Sequence, residues 1–362
     1  MLHFDFDRLH RVGLTPALAT RAAEAAADAE LVLELLRVTA IHRDTVQLHD
    51  GEVESPARLL PRLVRTLTEA RSALAVGDWV LAHHDAPGLR WVHERVPPSS
   101  HIARRDGDGS RHAVVSNVDH ALLVMGLDDD FNLRRLERYL ALAHASAVEA
   151  IVVLTKDDVA AAEPGTRAAR LDELELRIPG GVEVIVIDAT DPRSAARFAH
   201  VARGGRTLVL LGSSGAGKST LTNTLIGAAV QDTGAVRRHD SRGMHTTTAR
   251  SLHLLQGGAC VIDTPGLRTL RPDIDEAALA ASFGDVERLA SQCRFRDCSH
   301  ADEPGCAVRE GVDPDRLRNF HKLLRETRRD SMSHVERRQQ LSVWKSRGRA
   351  TRERMRLKRG DR

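Results

Sequence analysis

The stretch Arg206–Thr220, RTLVLLGSSGAGKST, constrains this chain more than any other. Its apolar run Thr207–Leu211 has the length of a strand. It leads without a break into Gly212-Ser213-Ser214-Gly215-Ala216-Gly217-Lys218-Ser219, which satisfies G-x-x-x-x-G-K-[ST] at every fixed position. A helical pattern follows, with Leu221, Leu225 and Ile226 on one side. Strand, glycine loop and helix start together predict an anion cradle. Glycines let successive backbone N–H groups curl around phosphates, and the helix N-terminus adds its positive end. Residues Gly212 to Thr220 would line that cradle, with Lys218 on the β/γ-phosphates and the Ser219 hydroxyl on Mg²⁺.

The preceding eighty residues show which sheet the loop belongs to. Asp119–Leu127, Ala150–Leu154 and Val182–Ile187 read as strands. Between and after them, Leu133–Ala145, Thr166–Leu176 and Arg193–Arg203 read as helices. Alternation of this kind predicts parallel βαβ units in a doubly wound sheet, with ligands at the carboxyl ends of its strands.

Two of those ends carry polar residues. Ala150–Leu154 runs into Thr155-Lys156-Asp157-Asp158, which resembles the [NT]-K-x-D base-recognition motif of GTPases. A carboxylate there accepts two N–H bonds from guanine N1 and N2, which adenine cannot supply, so a wrong base leaves it unpaired. Asp158 would take that role, with the Lys156 stem along the base. Val182–Ile187 runs into Asp188-Ala189-Thr190, similar to the short loop whose backbone contacts guanine O6. Downstream lie Gly243-Met244-His245-Thr246-Thr247-Thr248 and then a strand, Ala259–Ile262, ending in Asp263-Thr264-Pro265-Gly266. In GTPases an Asp at this place holds Mg²⁺, here Asp263, and the glycine N–H, here Gly266, touches the γ-phosphate. A threonine of the preceding loop, here Thr247, closes on Mg²⁺.

Upstream, residues 31–112 change texture. Leu31–Ile41, Thr45–Leu48, Ala57–Leu60, Asp78–His83 and Arg90–Val96 read as short strands, with turns at Asp50-Gly51 and Gly77-Asp78. About five strands in this span predict a small closed barrel of the oligonucleotide-binding kind. Trp79 and Trp91 are its only tryptophans. At this spacing a tryptophan more often fills a core than stacks bases, and Arg58, Arg62, Arg65, Arg71, Arg104 and Arg105 could instead follow a phosphate backbone. Residues 1–30 read as a polar lead-in with an alanine-rich helix from Pro16 to Glu30 and no chemistry of their own.

Downstream, Cys293-x4-Cys298-x-His300-x5-Cys306 brings together three of the chain's four cysteines and one histidine. Three thiolates and an imidazole form a closed tetrahedral set, as in a structural zinc site, and such use of cysteine suits a reducing cytoplasm. Cys260, in an apolar strand, reads as a core residue. A helix follows over Asp315–Glu326. Residues 325–362 then carry a net charge of +9, leaving −6 for the rest of a chain whose total is +3. A basic appendage on a mildly acidic body suggests a polyanionic partner. No apolar run is long enough to span a membrane, and MLHFDFDRLHRVG lacks the pattern of a signal peptide.

The order of these pieces is unusual. Ordinary GTPases place the phosphate loop first and base recognition last, whereas here the order is TKDD, DAT, phosphate loop, HTTT, DTPG. This predicts a circularly permuted P-loop GTPase domain (116–275) in an α/β fold. An N-terminal extension (1–30) and an OB-like barrel (31–115) precede it; a zinc-binding helical domain (276–330) and a basic tail (331–362) follow. The pattern resembles the ribosome small-subunit-dependent GTPase A family over nearly the whole chain. The resemblance implies a GTP hydrolase acting late in maturation of the small ribosomal subunit. It also implies binding to that subunit's rRNA, stimulation by the subunit, one structural Zn²⁺, and Mg²⁺ with GTP. A monomer when free and no membrane association are expected. Thr155 stands where the family usually has Asn. Leu267, after Gly266, replaces the glutamine that often orients water, so slow basal hydrolysis is expected, with His245 a candidate to complete the site alongside Lys218. Three other readings remain open at this level: an RNA-binding factor using GTP/GDP only as an occupancy signal, a permuted GTPase of the large subunit, and an ATP-using P-loop enzyme.

Overall fold

The computed structural model describes residues 2–43, 45–86, 89–105, 111–227, 250–264 and 273–331. The chain begins with β1 (Leu2–His3), α1 (Phe6–His10) and α2 (Pro16–Ala25). α2 starts on a Thr15 cap with Pro16 in its first turn, and it stops at Ala25, short of the expected Glu30. The opening segment is more than a polar lead-in. Leu9, Val12, Leu14, Leu18 and Ala22 are buried in the largest core cluster, beside Leu33, Leu35, Trp79 and Leu81. Single apolar residues spaced along a polar background hide this packing from a reading of periodicity alone.

The barrel consists of β2 (Leu33–Ile41), β3 (Val46–His49), β4 (Glu54–Leu59), β5 (Trp79–Ala86) and β6 (Leu89–Arg95), with helix α3 (Pro61–Glu69) between β4 and β5. It closes in the order β2-β3-β4-β6-β5-β2, antiparallel throughout except for β4 with β6. Alternate residues fill it: Leu36 and Val38, Val46 and Leu48, Val80 and Ala82, with Val92. The helix α3 was not foreseen. Pro61 presets its first turn, and Leu63 and Leu67, four apart, cover one end of the barrel core. A hairpin, β7 (His101–Arg105) and β8 (Arg111–Ser116), follows.

The remaining strands are β9 (His120–Gly126), β10 (Glu149–Thr155), β11 (Glu183–Val186), β12 (Thr207–Leu211), β13 (Ser251–Leu254) and β14 (Cys260–Asp263). Between them lie α4 (Leu133–Ala145), α5 (Asp157–Ala161), α6 (Thr166–Glu175), a 3-10 turn (Pro192–Phe198) and α7 (Lys218–Ile226). The order β11-β10-β9-β12-β14 is parallel, as the alternation predicted. β9 and β12 are buried along their whole length, as strands covered on both faces must be. β13 is antiparallel to β14 and also pairs Ser251 with Ala40 of β2, so sheet and barrel are continuous. Its short, half-polar sequence, Ser251-Leu252-His253-Leu254, carries too little signal to read as a strand alone.

Helices α8 (Glu276–Ser282), α9 (Gly284–Ala290), α10 (Ala307–Gly311) and α11 (Pro314–Ser331) close the described chain around their own core of Leu279, Phe283, Val286, Val308 and Leu323. Ala141 of α4 joins that core. Beside it, Glu137 of α4, only 2 % exposed, accepts from Arg316 (2.8 Å) and Asn319 (2.5 Å) of α11, and Arg316 also donates to Asp285 at 2.8 Å through each of two nitrogens. The bonds to Glu137 are shielded from solvent, so the carboxyl-terminal helices are held on α4 by more than surface ion pairs. Among the described residues no helix is long and apolar enough to cross a membrane.

Candidate nucleotide-binding site

The chain passes from β9 outward through β10 and β11, then returns to lay β12 on the other side of β9. The crevice at the carboxyl ends of β9 and β12 is therefore a topological switch point. The glycine loop sits there. Gly212 passes so close to β9 that a Cβ would lie 2.4 Å from the Val124 carbonyl oxygen. Gly217 has φ +91°, and a side chain there would press on Thr155. Lys218, at the start of α7 and almost wholly buried, donates to the carbonyls of Gly212 (3.0 Å) and Ser213 (2.7 Å), folding back over the loop. Ala216 is buried, Ser214 and Gly215 face outward, and Ser219 and Thr220 are half-buried in the first turn of α7.

The Thr155-Lys156-Asp157-Asp158 segment is tied to this loop. Thr155 is fully buried, and its hydroxyl donates to the Ala216 carbonyl at 2.7 Å. Where an asparagine is usual in such motifs, the threonine thus makes its own bond from the end of β10 to the glycine loop. Lys156 adopts a left-handed conformation (φ 60°) and its Nζ bonds Asp128 at 2.6 Å. Asp157 pairs with Arg167 at 2.5 Å, whereas Asp158 is exposed and its carboxylate has no partner among the described residues. The Asp188-Ala189-Thr190 turn is closed by Asp188 accepting from the Thr190 amide (2.8 Å) and hydroxyl (2.6 Å). Thr224 of α7 donates to the Ala189 carbonyl at 2.7 Å, joining that turn to the phosphate-loop helix.

Two residues of the site escaped the sequence reading. Asp130 accepts from the Ser213 hydroxyl (2.5 Å) and from Arg135 (2.7 Å), and Asp128 holds Lys156. The available signal was three consecutive carboxylates, Asp128-Asp129-Asp130, directly after a buried strand. His245, Thr247 and Gly266 lie outside the described residues.

Asp263 stands in register with Leu210, at the crevice end of β14, and is 3 % exposed. Its Oδ1 is buried without a hydrogen-bond partner among the described residues. An orphaned carboxylate oxygen beside a phosphate loop fits a hard cation such as Mg²⁺. Ser219 and Asp263 are the described residues that would hold the ion, and the ion would neutralise charge on phosphate oxygens. Burial pushes the Asp263 carboxyl above its ordinary value, and Lys218, His253 and the Thr264 N–H oppose this without cancelling it. The folded chain therefore holds this proton more tightly than the unfolded chain. The associated stability is full below the unfolded value of about 3.9 and is lost as pH rises through the folded one. In urea unfolding without nucleotide or Mg²⁺, Asp263→Asn is expected to gain on the parent as pH rises from about 4 to 7. A pH-independent difference would mean that Asp263 titrates normally.

The predicted metal ligands also converge. One ligand atom each from Cys293, Cys298, His300 and Cys306 lies within 4.8 Å of all the others. Cys293 Sγ is 3.9 Å from Cys306 Sγ, and His300 Nδ1 is 3.6 Å and 3.5 Å from those two sulfurs. A tetrahedral ion with metal–sulfur bonds of about 2.3 Å and metal–nitrogen bonds of about 2.0 Å has ligand edges of about 3.5–3.8 Å. The cluster is already close to that size and can hold a metal ion. Cys260 is buried in β14, as expected of a core residue.

Comparison with known proteins decides the family. The sequence model of the RsgA GTPase family matches residues 95–272. The small ribosomal subunit biogenesis GTPase RsgA of Xanthomonas campestris pv. campestris (strain B100) is 44% identical over 295 residues, 79% of each chain. This chain belongs to the RsgA GTPase family. The RsgA of Xanthomonas axonopodis pv. citri is likewise 44% identical, over 298 residues and 80% of each chain. Among solved structures, YjeQ from Thermotoga maritima matches with a TM-score of 0.59 and 24% identity, covering 81% of this chain and 98% of its own. YloQ, described as a circularly permuted GTPase, matches with a TM-score of 0.57 and 21% identity, covering 85% and 99%. The fold is thus that of a circularly permuted GTPase with a leading barrel, and membership of the family makes the chain a GTP-hydrolysing enzyme.

Proposed function

We propose that this chain hydrolyses GTP during maturation of the small ribosomal subunit, docked on the rRNA of that subunit and stimulated by it. The observation that carries the GTP reading is the hydrogen bond from Thr155 to Ala216, which ties the segment bearing Asp158 to the phosphate loop. The unpaired, exposed Asp158 carboxylate accepts guanine N1–H and N2–H. The Lys156 stem, anchored on Asp128, follows the base, and the turn of Asp188, Ala189 and Thr190 faces O6. The backbone of Gly212 to Ser219 and the Lys218 ammonium receive the phosphates, as the left-handed glycines and buried lysine support. Mg²⁺ is assigned to Ser219, Asp263 and Thr247, with Gly266 on the γ-phosphate. Zn²⁺ is assigned to the cluster of Cys293, Cys298, His300 and Cys306, since three thiolates and an imidazole suit a soft-tolerant tetrahedral ion. Action on ribosomal subunits places the work in the cytoplasm.

Leu267 cannot orient a water, so a group from elsewhere must complete the site. We assign that role to His245, whose imidazole exchanges a proton near neutral pH. The test is GTP turnover by the full chain with small subunits, with large subunits and with neither. The rate is expected to rise only with small subunits, and His245→Ala should lose that rise while still binding GTP. Equal turnover in all three mixtures would overturn the subunit reading. Undiminished stimulation of His245→Ala would remove His245 from the mechanism.

A further inference from the structure

The two barrel tryptophans have different fates. Trp79 is 0 % exposed and lies in the main core, with the buried Arg37 guanidinium 5.5 Å from its ring centre. Trp91 is half-buried and belongs to no core cluster of the described residues. Its neighbour Val92 points into the barrel, so Trp91 points out. In register, Trp91 stands between Arg58 of β4 and His83 of β5. Cross-strand neighbours share a face, so an indole is flanked by a cation and an imidazole.

A hydrogen-bonded chain continues this face. Arg62 of α3 donates to His93 Nδ1 at 2.6 Å, which makes His93 Nε2–H the donor to His83 Nδ1 at 2.5 Å. Nε2–H of His83 is left as the outer donor of the relay. Arg58 and His83 thus flank Trp91 in register, and His93 and Arg62 extend the same face through the histidine pair. Glu94, the nearest carboxylate along β6, lies past the histidine pair, opposite Leu81. Every base has a face that stacks on an aromatic ring, and cations beside the ring suit the phosphates that follow.

We propose that the outer face of the barrel around Trp91 is a platform for single-stranded RNA, with one base stacked on the indole and its phosphates on Arg58 and Arg62. This deepens the RNA-binding reading above and rests on it. Duplex RNA, whose bases are already stacked, gains nothing from the indole.

The test uses the full chain and a single-stranded oligoribonucleotide of about 12 nucleotides, with its duplex as control. Trp91→Ala is expected to weaken single-strand binding about tenfold, with Trp91→Phe retaining most of it and duplex binding unchanged. Arg58→Ala should lower the slope of log affinity against log salt by about one. Circular dichroism reports whether each variant is folded. Parent-like binding by Trp91→Ala, or Trp91→Phe as weak as Trp91→Ala, would overturn the platform. Equal losses on single strand and duplex would show a general RNA surface and overturn it too. Failure of small subunits to stimulate GTP turnover by the parent chain counts against the ribosomal reading and is read separately.

Discussion

Asp158→Asn is expected to lower the affinity for GDP and GTP by about a thousandfold while leaving the fold intact. Two hydrogen bonds to a charged acceptor contribute about 1.5–3 kcal/mol each. The asparagine keeps one acceptor but turns an NH₂ group toward the N–H groups of guanine, so one attraction becomes a donor–donor clash. Xanthine carries a carbonyl oxygen where guanine carries its amino group, and the new NH₂ donates to it. Xanthosine nucleotides should therefore bind the variant better than guanosine nucleotides, a reversal that no general damage to the site would produce. Asp158 is exposed and unpaired among the described residues, so thermal stability should stay within about 0.5 kcal/mol of the parent. The measurement is competition of GDP, XDP and ADP for the parent and the variant. Unchanged GDP binding by Asp158→Asn would show that another residue reads the base.

Removing the metal is expected to dissolve the local structure of α9 and α10 while the parallel sheet survives. The four candidate ligands lie on the turns that bring α9 and α10 together, and Cys306, at 3 % exposure, belongs to the small core these helices share with α8 and α11. That core is small beside the two that cover the sheet, and structural zinc contributes about 10–16 kcal/mol in isolated zinc-finger peptides at neutral pH. Without an ion, the three thiols and the imidazole are left with only long, weak contacts to one another and to the Leu289 carbonyl. Chelation should abolish amide-exchange protection over Gly284–Gly311 and spare Thr207–Leu211. Cys298→Ser should act in the same direction at lower chelator concentration. Exchange that is unaltered after full metal removal would reduce the cluster to an incidental grouping of thiols.

Much of the site was legible because phosphate cradles and metal cages are local. Gly212 to Ser219 needs its glycines at set intervals to wrap an anion, and the four metal ligands fall within fourteen residues. The permutation was legible too, since motif order is a property of the chain. Residues acting across the sheet were not. Asp130 meets Ser213 only because β9 and β12 are neighbours, and nothing near position 213 announces an acidic partner eighty-three residues earlier. The helix α3 was missed since Pro61 in its first turn reads equally as a loop.

The chain's local chemistry was enough to specify a P-loop, a Thr-Lys-Asp-Asp segment at a strand end, a cluster of three thiols and an imidazole, and a basic tail, because each depends on residues a few positions apart. Tertiary packing alone decided which carboxylates support the crevice, which of the two barrel tryptophans is wholly buried, and how α4 grips the carboxyl-terminal helices through Glu137 and Arg316. Those outcomes depend on strand order and on which side chains exclude water together. Hydrophobic burial is non-directional and pairs residues by proximity in space, whatever their distance along the chain.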